Sequence, residues 1–267
     1  MTLVQAALLG LVQGLTEFLP VSSSGHLVLA KSWLGVRDTG SVAFEVVVHL
    51  GTLFAVLVGL RGPVLELMAA TGKILQPGRW RQAYGEDPGF RRLVLLVPAT
   101  LPAVVVGLGF ADTLEGLFGA PRWAAAMLIA TAVILLAPLP FGERRGPLGW
   151  RSALFMGIAQ AVAIIPGISR SGSTISAGCV AGVTREEAGI FSFLMAIPAI
   201  LGAVVLKADE VLVAADAGVG PLAVGFALSF LAGWFSLIAL LGLVRTGRLW
   251  VFSPYLILVG SLSLIFG

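Results

Sequence analysis

Charge is nearly absent from long stretches of the chain. Runs with little or no charge cover 2–16, 18–30, 43–60, 93–111, 123–142, 152–169, 171–184, 188–206, 217–244 and 249–267. A helix crosses a bilayer with ~20 apolar residues. The runs at 43–60, 93–111, 123–142, 188–206, 217–244 and 249–267 reach about that length, which predicts six transmembrane helices. The pairs 2–16 with 18–30, and 152–169 with 171–184, differ. Each is two short apolar pieces joined by a polar knot, Glu17 to His26 in the first and Pro166 to Thr174 in the second. Proline removes a backbone donor, and serine and glycine favour a break. The pattern predicts two re-entrant helical hairpins, whose irregular tips need protein or a watery cavity around them.

The two halves, about 1–142 and 143–267, repeat. Gly10 and Gly157, Gln13 and Gln160, Ser22 and Ser169, Ser24 and Ser171, Gly25 and Gly172, and Phe44 and Phe191 all lie 147 residues apart. A fixed offset is the mark of duplication. Basic residues add the orientation. Arg61, Lys73, Arg79, Arg81, Arg91, Arg92, Arg144, Arg145, Arg151, Arg185, Arg245 and Arg248 fall on one face of a six-span topology. The opposite face carries Lys31, Arg37, Arg122 and Lys207 among Asp38, Asp112, Glu115, Asp209, Glu210 and Asp216. The first face is therefore expected in the cytoplasm and both termini outside. The copies then run in opposite directions, an inverted-topology repeat with its special site near the midplane. The expected fold is all-α and integral to the membrane, one polytopic domain over 1–267.

Composition sharpens this. The 267 residues are 58% hydrophobic and only 12% charged, against about 25% charged in a soluble domain. A net charge of +3, with the basic groups in loops, argues against a nucleic-acid partner. The lone Cys179 excludes an intramolecular disulfide and reads as a buried apolar side chain. Met1 leads directly into an apolar run, without the basic start of a cleavable signal. Trp33, Trp80, Trp123, Trp150 and Trp250 sit near span ends and read as interface anchors.

Three ionisable residues fall at the knots, Glu17, His26 and Arg170. Each costs roughly 2.5 kcal/mol or more at bilayer depth when unpaired. A structural Glu17–Arg170 ion pair is the plainest account of them. The surrounding groups favour a site: Ser22, Ser23, Ser24, Ser169, Ser171, Ser173 and Thr174 supply hydroxyls, while Gly25, Gly167 and Gly172 admit close backbone approach. Helices starting after the knots would aim their positive ends at the same place. Serine-rich turns, helix N-termini and a guanidinium together suit a phosphate. Glu17 and His26 add a base and a proton carrier beside a candidate nucleophile, Ser23, three residues before His26. Gln13 and Glu17, four apart on one helix face, present oxygens able to hold Mg²⁺ or Ca²⁺.

The stretches 13–26, QGLTEFLPVSSSGH, and 166–172, PGISRSG, resemble the two signatures of the undecaprenyl-diphosphate phosphatases of the bacitracin-resistance type. The likeness extends to Phe44–Val47 and Phe191–Phe193 and spans the chain. It implies removal of the terminal phosphate from undecaprenyl diphosphate, returning the monophosphate carrier lipid to peptidoglycan synthesis. It further implies a divalent cation, a bacterial inner-membrane location with the site open to the outer face, and bacitracin resistance at high abundance. Gln13 stands where the family has Glu or Gln, so Glu17 carries the acidic role alone.

On this reading Arg170 grips the diphosphate, Ser23 attacks the terminal phosphorus with His26 as its base, and Glu17 orients His26 or binds metal. Ser22, Ser24, Gly25, Ser169, Ser171, Gly172, Ser173 and Thr174 line the substrate. A rival assignment makes His26 or a metal-bound water the nucleophile. Glu45 divides between helix-start pairing and a site role, and His49 reads as a satisfied core histidine. The expected partners are an isoprenyl diphosphate lipid and the membrane, with monomer or homodimer both open. A polyprenyl-phosphate flippase or secondary transporter, which also uses broken helices and repeats, is the competing class. A purely structural subunit is third and leaves the intramembrane charges without a purpose.

Overall fold

A computed structural model describes residues 1–36, 43–142, 146–210, 213 and 218–266. Arg37, Asp38, Arg144, Arg145 and Asp216 of the topology argument lie outside the described residues, as does the side chain of Glu115. The described chain is helical: α1 (Leu3–Phe18), α2 (Ser23–Trp33), α3 (Ala43–Gly59), α4 (Arg61–Ile74), α5 (Trp80–Glu86), α6 (Pro88–Gly109), α7 (Ala111–Phe118), α8 (Pro121–Ile134), α9 (Trp150–Val162), α10 (Arg170–Val180), α11 (Arg185–Leu206), α12 (Val219–Thr246) and α13 (Ser253–Phe266).

Five stretches are long and apolar enough to cross a membrane: Pro88–Gly109, Pro121–Phe141, Arg185–Leu206, Val219–Thr246 and Leu249–Phe266. The sixth expected span, 43–60, is α3, which passes the same test together with α4 across an 86° bend. The protein is thus a multi-pass membrane protein. Its outward helix faces are apolar as well, with Val97 69% and Val105 60% exposed on α6. In water such faces would be a liability; lipid is their proper solvent. The segment 61–92, read from sequence only as a basic loop, contains α4 and α5.

The short helices come in two pairs. α1 turns into α2, and α9 into α10, at the two polar knots. α1 lies along α12, and α9 lies along α6. Close approach at a glycine makes both contacts: a Cβ on Gly10 would stand 2.6 Å from the Gly225 carbonyl oxygen, and one on Gly157 would stand 2.6 Å from that of Ala99. The knots themselves touch. A Cβ on Gly25 would meet Gly167 Cα at 2.9 Å, and one on Gly172 would meet Pro20 Cβ at 3.2 Å. α8 and the residue that caps its end serve as their common floor, with Leu128 against Gly25 and Leu135 against Gly172. A continuous buried cluster joins Phe18, Val21, Leu128, Ile175, Phe191 and Leu256, so both halves of the chain share it.

Candidate active site

Local chemistry fixes the start of each short helix. Ser22 caps α2 by accepting from Gly25 N at 3.3 Å, and Ser169 caps α10 by accepting from Gly172 N at 3.1 Å. Ser22 Oγ lies 3.3 Å from Ser24 Oγ, and Ser169 Oγ lies 3.2 Å from Ser171 Oγ. The same two bonds are therefore made twice, 147 residues apart. Ser171 also donates to Leu19 O at 3.2 Å and so ties the second knot to the first. One asymmetry stands out: Ser22 has φ 71°, in the left-handed region, whereas Ser169 has φ −73°. A non-glycine residue held there is strained, and such strain gathers at functional sites.

Ser23 and Arg170 are the first residues of α2 and α10, and they too lie 147 apart. Both reach the same carboxylate. Arg170 Nη2 donates to Glu17 Oε1 at 2.5 Å, and Ser23 Oγ donates to Glu17 Oε2 at 2.6 Å. Gln13 Nε2, one turn earlier on α1, donates to Oε2 at 2.9 Å. His49 Nε2 of α3 stands 3.6 Å from that oxygen, while its Nδ1 is 2.7 Å from Glu45 O. His49 was read as a core residue and in fact borders this carboxylate. The Glu17 side chain is 5% exposed and that of Arg170 16%, so the pair is largely withdrawn from solvent. Glu45 itself pairs with Lys31 at the end of α2.

His26 has other neighbours than the sequence suggested. Its Nδ1 is 2.8 Å from Ser22 O and its Nε2 is 2.8 Å from the hydroxyl of Tyr255. Ser23 is bonded to Glu17, not to His26. Thr174 turns to Arg170 O at 2.7 Å and to Ser192 Oγ at 2.6 Å. The Ser173 hydroxyl, at the position matching His26, is buried without a partner. Two further contributors had no sequence signal beyond a lone polar residue in an apolar span. Thr131 of α8 donates to Gly167 O at 2.8 Å and accepts from Ser169 N at 3.0 Å, pinning the turn before Arg170. Tyr255 of α13 is the other.

Among the described residues no three His, Cys, Asp or Glu side chains cluster as a ready-made metal site. The donors fit a more open arrangement. Glu17 is one carboxylate, and Gln13 Oε1 beside it is buried with no hydrogen-bond partner. Mg²⁺ commonly takes one or two carboxylates and completes its shell with phosphate oxygens and water.

The surroundings are therefore a guanidinium, a carboxylate, a serine hydroxyl and two capped helix N-termini, converging between apolar helices. Such a place suits a phosphorylated lipid. Known proteins point the same way. The chain is 39% identical over 275 residues to an undecaprenyl-diphosphatase of Desulforapulum autotrophicum, covering 100% of this chain and 99% of that one. It is 40% identical to that of Salinibacter ruber, with 99% of both chains covered, and 41% identical to that of Syntrophotalea carbinolica, with 98% of both. The bacitracin resistance protein BacA family matches residues 6–262, and the chain belongs to that family.

Proposed function

We propose that this protein hydrolyses undecaprenyl diphosphate to undecaprenyl phosphate and inorganic phosphate, recycling the carrier lipid of cell-wall synthesis. The observation that carries the reading is the convergence of Ser23 and Arg170 on Glu17. A binding site for phosphate needs the guanidinium and the helix N-termini; it has no need of a serine hydroxyl held on a carboxylate. That hydroxyl is what a flippase would lack a use for.

The roles follow from the contacts. Arg170 exchanges part of its bonding from Glu17 to the diphosphate oxygens, since a guanidinium has five N–H donors. Ser23 Oγ then attacks the terminal phosphorus. The Oγ–P bond forms, the bond from that phosphorus to the bridging oxygen breaks, and undecaprenyl phosphate leaves with the electron pair. Glu17 Oε2 receives the hydroxyl proton. Water next attacks the phosphoserine phosphorus and gives a proton to His26, the Oγ–P bond breaks, Ser23 Oγ takes its proton back from Glu17, and inorganic phosphate departs as His26 hands its proton to that phosphate or to solvent. Glu17 and Gln13 would hold a divalent cation, Mg²⁺ or Ca²⁺, which lessens repulsion among the phosphate oxygens when bound. Ser22, Ser24, Gly25, Ser169, Ser171, Gly172, Ser173 and Thr174 shape the phosphate cradle, Ser22 and Ser169 through their caps.

The two knots are the tips of re-entrant hairpins, and the halves form an inverted repeat. The paired caps and paired glycine contacts at one offset support this. The basic face lies in the cytoplasm of an inner membrane and the site opens outward.

Purified protein should release phosphate from C55 and C15 isoprenyl diphosphates. Arg170→Ala and Ser23→Ala should each lose about 10²-fold or more. Lipid movement with no phosphate release would replace the reading with the flippase. A phosphoenzyme trapped on His26, or none at all, would remove Ser23 as nucleophile.

A further inference from the structure

His26 is held from both sides. Ser22 O accepts the ring Nδ1–H at 2.8 Å and also the His26 backbone N–H at 3.1 Å. Ser22 O lies four residues back, the same relation by which Glu45 O receives His49 Nδ1 at 2.7 Å. With the proton on Nδ1, Nε2 carries the lone pair and accepts from the Tyr255 hydroxyl at 2.8 Å. The two rings are nearly parallel, 7° apart in plane, with centroids separated by 5.7 Å.

Tyr255 comes from 229 residues away, and its aim is set by rigid packing. Two residues earlier, Ser253 Oγ donates to Ala132 O of α8 at 2.9 Å. One helical stretch later, a Cβ on Gly260 would stand 2.7 Å from the Ala125 carbonyl oxygen, so α13 lies tight on α8. α8 in turn floors both knots, through Leu128 at Gly25 and Thr131 at Gly167. The hydroxyl is thereby indexed to the same helix that places Arg170. An aromatic that served only as an interface anchor would need no such registration.

We infer that Tyr255 is a positioning residue for His26: its hydroxyl donates to Nε2 and so holds the imidazole oriented in the Nδ1–H form, and Nε2 exchanges this bond for the attacking water when it takes the proton. The inference rests on the phosphatase reading of His26. It assigns a task to a tyrosine outside both signature stretches, acting through a hydrogen bond and not on the substrate.

The chain has only two histidines, so ¹⁵N-histidine labelling of the detergent-solubilised protein shows two rings. Tyr255→Phe keeps the ring and removes the hydroxyl. It should shift the Nε2 resonance of His26 and leave that of His49 in place. With farnesyl diphosphate as substrate, kcat should fall about tenfold with KM changed less than twofold. In a His26→Gln background the same substitution should have no further effect on kcat, because the partner it acts through is gone. Unmoved His26 resonances in Tyr255→Phe, or an equal loss of kcat in both backgrounds, would overturn the inference. Full activity in His26→Gln alone would instead sink the catalytic reading of His26, while the resonance shift would still judge the Tyr255 contact.

Discussion

Gln13 and Gln160 stand at matching positions of α1 and α9, and only Gln13 has a carboxylate to bond. The residue matching Glu17 is Ile164, so both amide atoms of Gln160 are buried with no partner. A buried polar group left unsatisfied costs about 1–3 kcal/mol. Gln160→Leu, similar in volume, should therefore raise the unfolding temperature in detergent and leave phosphate release unchanged. Gln13→Leu should lower release, since it removes a donor to Glu17 and an orphan oxygen beside it. At this scale the sequence exposes Glu17, His26 and Arg170 because charge in an apolar run is costly and must be explained. It conceals Tyr255 and Thr131, because a tyrosine near a span end looks like an anchor and a single threonine looks like packing. Their roles come from partners brought up by the fold. The same limit explains why the Ser23 hydroxyl pairs with Glu17: spacing along α2 brings His26 near Ser23 in the chain, but the ring is taken by Ser22 O and Tyr255.

α8 is the element on which the site is assembled, and Thr131 is its working contact with the second knot. Thr131→Val leaves Gly167 O and Ser169 N without their partner inside a buried turn. The expected cost is about 2 kcal/mol, read by thermal unfolding. Activity should fall as well, since Arg170 begins α10 at the next residue, and Thr131→Ser should restore both. Gly167 tolerates nothing larger: φ is 96°, and a Cβ would lie 2.3 Å from the Ala124 carbonyl oxygen. The long apolar stretches, and the short helices on either side of each knot, are legible as elements from length and charge alone. The bend between α3 and α4 is not, because 61–92 has the polarity of a loop, and α4 and α5 begin without a side-chain cap to mark them. Asp87 caps α6 by accepting from Phe90 N at 3.2 Å and pairs with Lys73 of α4. The Lys73 ammonium, bonded to it, holds the Asp87 carboxyl below its ordinary pKa. This contribution is present above the pKa of the unfolded carboxyl and is lost as pH falls through the lower folded value. The protection factors of amides at the start of α6, taken relative to intrinsic exchange at each pH, should accordingly fall on acidification, and Asp87→Ala should show that lower protection already at neutral pH.

Across the whole molecule, ion pairs gather at one side. Arg92, at the start of α6, takes Glu187 of α11 bidentately at 2.8 and 2.7 Å and Glu66 of α4 at 2.7 Å. Arg245, at the end of α12, takes Glu186 at 2.6 Å. Four helices are thus fastened together on the face where sequence places most of the 17 Lys and Arg. Positive charge beside short loops favours their retention in the cytoplasm, which is the basis of the proposed orientation. The opposite side, where the chain passes from α2 to α3, has the Lys31–Glu45 pair. On the proposed topology of six crossings and two hairpins returning to their own sides, the C-terminus is expected to face outward. A fluorescent protein that matures only in the cytoplasm, fused after residue 267, should stay dark, while one inserted between residues 76 and 80 should glow. Removing Arg79, Arg81, Arg91 and Arg245 together should weaken this bias and give a mixed population of orientations. A bright C-terminal fusion on the unaltered chain would reverse the whole assignment, placing Glu17, Ser23 and Arg170 at the end of a path from the cytoplasm.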